Sequence, residues 1–169
     1  MTTDLPITPD GLAQVRAMLA TGRRPPLGEK LGISLVEVEY GHAVFEATPD
    51  GTSYNPMETA HGGYISAILD SACGIAAHTG LKPGLGYTTL ELKVSFLRPL
   101  NDSSGRIRAV GRLVSMGGRA AFSEATLVNE KVQLCATASR PCSVSSRHNT
   151  GSWCHRRRGT PSGRLVARR

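Results

Sequence analysis

The run from Ala60 to His78 carries one acidic side chain, Asp70, no Lys or Arg, and a stripe of Ile65, Ile68, Leu69, Ala72, Ile75 and Ala76 at helical spacing. A helix this apolar cannot stand in water, so the rest of the chain must wrap it. At 169 residues, with 40% hydrophobic and 20% charged side chains, the chain has material for one core of ordinary size. Collagen-like, wholly disordered and disulfide-dense classes are excluded by the same figures.

The wrapping elements are β-rich. Alternation over Gly32–Glu39 and His42–Thr48, with Tyr40 and Gly41 between, predicts a hairpin. After the helix, Gly80, Pro83, Gly84 and Gly86 break the pattern. Runs over Tyr87–Leu97, Gly105–Ser115, Ala120–Val128 and Val132–Cys142 then suit an antiparallel meander. Before the hairpin, Leu12, Val15, Met18 and Leu19 predict a short N-terminal helix that opens at Thr8 and Pro9 and closes at Gly22, followed by a break at Pro25 and Pro26. The order of helix, two strands, long helix and four strands specifies an α+β domain over residues 1–142, with one sheet curled round one buried helix. Residues 143–169 lack periodicity and core-forming residues and are expected to form a disordered basic tail.

The formal charge of +7 lies in that tail: Arg147, Arg156, Arg157, Arg158, Arg164, Arg168 and Arg169 account for the excess over an otherwise neutral body. Nucleic-acid binding is therefore not expected of the body, and only the tail carries the charge for it. No stretch reaches the roughly 18 apolar residues of a membrane span, since Asp70 interrupts Tyr64–Ala77. The N-terminus lacks the basic start and apolar run of a secretory signal, so a cytoplasmic location is expected. Cys73, Cys135, Cys142 and Cys154, irregularly spaced, are expected to be free thiols, and no metal or other cofactor is implied.

Asp70 is the residue with the most chemical information. A lone carboxylate in an apolar helix is either turned outward or functional. Gly62 and Gly63 fall in the first turn of that helix, where N–H groups have no intrahelical partner and the helix dipole is positive. Together they make a site for a developing oxyanion, although paired glycines also serve close packing, and His61 more often caps than catalyses. Ser66 and Ser71 lack a nucleophile-elbow context. Cys73 and His78 do not share a helical face.

The run YNPMETAHGGYISAILDSACGIAAH, followed by GYTTLELKVSFLRPL, resembles the PaaI-like thioesterases of the hotdog-fold superfamily, over roughly residues 28–142. The resemblance implies a hotdog fold, hydrolysis of an acyl-CoA thioester and assembly as a homodimer or homotetramer. It implies that Asp70 is nucleophile or general base, Gly62 the backbone oxyanion donor, Asn55 and His61 site-shaping polar groups, and Thr89 a hydroxyl that holds the attacking water. Gly63 and Arg98 are the candidate substrate contacts. Glu58 stands where such proteins usually have glycine, and Pro141 departs from their usual ending. Two other functions fit the same fold: a hydratase or dehydratase acting on enoyl or hydroxyacyl thioesters, and a non-catalytic acyl-CoA-binding protein. The Asn55, His61, Asp70 spacing favours the hydrolase. From Gly62 to Asp70 a helix rises about 12 Å, too far for one carboxylate to reach a carbonyl held at the other. A site shared between two antiparallel copies is therefore expected.

Overall fold

The computed structural model describes residues 10–146. Its centre is α3, Gly62–Thr79. Ile68 and Leu69 are fully buried there, beside Ile65, Ala72, Cys73 and Ala76, each large aliphatic worth about 2–3 kcal/mol of burial. Seven antiparallel strands surround it: β1 (Ser34–Glu39), β2 (His42–Ala47), β3 (Leu85–Thr89), β4 (Lys93–Phe96), β5 (Ile107–Met116), β6 (Ala120–Val128) and β7 (Leu134–Ser146). They lie in the order β1-β2-β5-β6-β7-β3, with β4 also on β7. The chain therefore leaves the sheet after β2, threads α3 across its concave face and re-enters it. The expected fold, a sheet curled round one helix, is present.

The curl has a local cause. Register shifts interrupt the pairing between Leu35 and Glu37 on β1, between Leu113 and Ser115 on β5, and between Leu134 and Ala136 on β7 opposite Leu127 and Val128, and such bulges bend a strand and tighten its twist. The seam between helix and sheet is narrow because its residues are small. A Cβ built on Gly111 of β5 would lie 2.1 Å from the Ala72 carbonyl oxygen, so no other residue fits there without moving the helix. Gly41, at φ +68°, turns the β1–β2 hairpin, and its N–H is tied to Thr79 Oγ1 at the end of α3, 2.7 Å away.

Four boundaries differ from expectation. The N-terminal helix α1 spans Gly11–Ala20 and is capped by Asp10, whose side chain accepts from the Ala13 N–H; Thr8 and Pro9 lie outside the described residues. Pro25 and Pro26 open a further short helix, α2 (Pro26–Lys30), because proline at the first helical position needs no N–H partner. The run over Tyr87–Leu97 divides into β3 and β4, both paired with β7. The last strand does not stop at Cys142. Its next residues pair with β3, Tyr87 facing Val144 and Leu85 facing Ser146, and Val144 is buried. The boundary drawn at residue 142 therefore falls inside a strand, and the tail beyond Ser146 lies outside the described residues.

Candidate active site

Of the residues singled out in the sequence, Asn55, Gly62 and Arg98 line one cleft and Asp70 another, with no wall residue in common, while His61, Gly63 and Thr89 line neither. The first surrounds the start of α3 and is lined by Asn55, Thr59, Ala60, Gly62, Ile65, Phe96 and Arg98, among others. Its loop is built by Asn55, whose Oδ1 accepts from the Met57 N–H at 2.9 Å and from the Thr59 N–H and hydroxyl, each at 3.3 Å. That turn forces Glu58 to φ +57°, a left-handed conformation that favours glycine. The loop keeps its shape with a glutamate there, at a cost in strain.

His61 caps the helix: its Nδ1 accepts from the Gly63 N–H at 2.9 Å. The Gly63 amide is thereby occupied, and the first-turn amide left to face a ligand is that of Gly62, which has no carbonyl of its own helix to reach. A Cβ on Gly62 would lie 3.2 Å from the Phe96 ring, so bare backbone is what lets the cleft reach this N–H. Arg98, exposed, stands on the same rim.

The second cleft holds Asp70. It is a cavity of about 420 Å³ roofed by α1 and the α1–α2 segment, with Leu19, Leu27, Ile33, Leu35, Phe45 and Ile75 among its walls, Arg23 and Arg24 in its roof, and Asp70, Tyr87 and Arg140 together among its polar groups. The Asp70 side chain is 41% exposed, and its Oδ1 faces Nε of Arg140 at 2.7 Å. Arg140 itself is 4% exposed. Its Nη2 donates to the Thr89 hydroxyl, and its Cζ sits 5.2 Å from the centre of the Tyr87 ring, a cation–π distance. Burial pushes the Tyr87 hydroxyl upward, with Arg140 opposing. Asp70 and Thr89, far apart in sequence, are thus joined through one guanidinium.

Arg140 was not singled out from the sequence. A signal existed: on β7, beyond the buried Cys135, the buried positions alternate as Ala136, Ala138, Arg140, Cys142 and Val144, so the arginine keeps the inward parity of the strand and demands an anionic partner inside.

The competing chemistries find little support. Cys73 is buried and its thiol is pushed up to about 12, burial being the largest cause; Cys135 and Cys142 are likewise free, buried and raised, while Cys154 lies outside the described residues. Ser66 and Ser71 each donate back to the helix carbonyl four residues earlier. Among the described residues no group of His, Cys, Asp and Glu side chains could hold a metal ion, and no helix is long and apolar enough to cross a membrane.

The model of the Thioesterase superfamily matches residues 57–136, from the Asn55 loop into β7. The proofreading thioesterase EntH of Klebsiella pneumoniae is 27% identical over 107 residues, 63% of this chain and 77% of that one. Among solved structures, the PaaI protein of the phenylacetic acid degradation operon of E. coli has a TM-score of 0.68 at 21% identity, over 79% of this chain and 91% of its own. A Streptococcus mutans protein bound to acetyl CoA has a TM-score of 0.62 at 25% identity, over 68% and 89%.

Proposed function

For a chain that belongs to the thioesterase superfamily, with the PaaI-like hotdog fold, we propose that Asp70 and the Gly62 amide carry the hydrolysis of an acyl-CoA thioester to free acid and CoA. Thioester hydrolysis is the reaction common to the family match and to the curated relative. The observation that carries the finer reading is the position of Asp70, paired with Arg140, in the wall of a cavity with a largely aliphatic and aromatic lining, on the helix whose first turn presents the Gly62 N–H.

A thioester carbonyl seated against Gly62 receives the N–H and the positive helix end on its oxygen. Asp70 on a partner's α3 removes a proton from a water held by the Thr89 hydroxyl, and that water attacks the acyl carbon. The C–O bond forms as the charge moves to the carbonyl oxygen. Collapse breaks the C–S bond, and the proton passes from Asp70 to the departing CoA thiolate. Asp70 serves as base through Oδ2, since the water held by Thr89, and not the carboxylate, is the attacking group in this reading. The acyl group extends into the apolar cavity, whose volume accommodates aryl and medium-length chains alike, and Arg98 at the rim is the contact for the anionic CoA. Asn55 and His61 hold the loop and helix start in place. Cytoplasmic action follows from the nature of this substrate.

The dimer has support in the surface. The outer edges of β3 and β4 are unpaired among the described residues. Phe96 and Leu97 in the wall of the Gly62 cleft are exposed, as are Leu90 and Met57, which suits a second copy rather than water. In a test with a panel of acyl-CoA substrates and free-thiol detection, Asp70→Asn is expected to lose at least about a hundredfold in kcat while keeping its circular dichroism and Tm. Turnover close to wild type in that variant would remove Asp70 from the reaction.

A further inference from the structure

We infer that Arg140 is a positioning residue of the hydrolytic site, a single buried guanidinium that fixes the Asp70 carboxylate on α3 against the Thr89 hydroxyl on β3. This rests on the reading of Asp70 as the reacting carboxylate.

Three observations carry it. Arg140 Nε pairs with Asp70 Oδ1 as an ion at 2.7 Å, its N–H not aligned for a hydrogen bond, and Nη2 donates to the Thr89 oxygen, so one planar guanidinium spans the two groups. Each is also given an orientation. Asp70 has Oδ1 paired with the guanidinium, and Oδ2 is the oxygen assigned to take the proton. The Thr89 oxygen is occupied as an acceptor, which leaves its O–H to donate to a water while that water donates to Asp70. A hydroxyl free to rotate would not keep that polarity.

The third observation is a slot cut for the arginine. Gly74 lies one turn beyond Asp70 on the same helix face, and a Cβ there would meet Arg140 Nη1 at 2.4 Å, the Tyr87 hydroxyl oxygen at 2.8 Å and Arg140 Cζ at 3.2 Å. The missing side chain is the space the guanidinium fills. Nη1, like Nε, is buried without a hydrogen bond of good geometry. With Nε facing Asp70 and Nη2 donating to Thr89, we assign Arg140 to these two groups rather than to the acyl group.

Arg140→Met, Arg140→Lys and Gly74→Ala are to be assayed on whichever of acetyl-, hexanoyl- and benzoyl-CoA the wild type turns over fastest. For Arg140→Met and Gly74→Ala, kcat should fall at least about tenfold with KM within about threefold, the pattern of lost alignment rather than lost binding. Arg140→Lys should lie between them and wild type, because an ammonium pairs with Asp70 but cannot span to Thr89 as a fork does. In an Asp70→Asn background, Arg140→Met should cost nothing further, because its effect passes through the carboxylate. A general loss of fold would instead multiply with the first lesion and overturn the inference. If Arg140→Met does not fold, Arg140→Lys and Gly74→Ala carry the test, and wild-type kcat in both refutes it. Retained turnover in Asp70→Asn would sink the parent reading; a dead Asp70→Asn beside a fully active Arg140→Met would sink the positioning role alone.

Discussion

If each site takes its oxyanion donor from one subunit and its carboxylate from the other, two inactive chains can restore activity by mixing. Gly62 and Asp70 are separated by about 12 Å of helix, the helix is fixed on the sheet by the Gly111–Ala72 contact, and the two residues line separate cavities. No side-chain rotation closes that gap within a chain. One parent is Asp70→Ala. The other is Asn55→Ala, which removes the acceptor of three hydrogen bonds that form the loop before Gly62. A hybrid dimer has one site bearing both lesions and one bearing neither. Random reassortment of equal amounts makes about half the dimers hybrid, so about a quarter of wild-type activity should return. The subunits carry different affinity tags and are mixed in mild denaturant and refolded; tandem purification then isolates the hybrid, whose specific activity should approach half that of wild type. A purified hybrid no more active than its parents, or a proven monomer with full activity, refutes the shared site.

Two further outcomes follow from the backbone. Glu58→Gly should raise stability by about 0.5–1 kcal/mol, read from denaturant unfolding, because relief of a left-handed non-glycine conformation, about 1–2 kcal/mol, exceeds the added freedom of the unfolded chain. A chain ending at Ser146 should keep the Tm and hydrolysis rate of the full chain, whereas one ending at Cys142 should lose at least about 2 kcal/mol with the burial of Val144 and the strand pairing to β3; equal melting of the two would show that β7 ends where the sequence pattern does.

The legible features were those written in period and composition. The stripe on α3 and the alternation of β2 and β6 each report one local environment, and they led directly to a helix inside a curled sheet. Asp70 and Gly62 were legible because both break the pattern of their own element. Arg140 was hidden because its meaning is a contact: Asp70 is distant in sequence, and a charged residue on a strand reads as solvent-facing until the inward parity of Ala138 and Cys142 is counted with it. The division of β3 from β4 was equally silent. Both partners lie on β7, and a strand that changes its register along one neighbour keeps the composition of a single run.

The tight seam between α3 and the sheet also bears on how substrate preference can change. Ala72 meets Gly111 backbone to backbone, and Ala76, Ala109, Ala125 and Ala136 are buried with it in one core, so enlarging any of these side chains pushes the helix that carries both halves of the site. Adaptation to a longer or bulkier acyl group is therefore closed on that side. The remaining freedom lies on the opposite wall, where Leu19 and Leu27 belong to α1 and α2, short elements outside the sheet. A directed library for new acyl preference belongs in residues 18–28, where a wall can be rebuilt while α3 stays still.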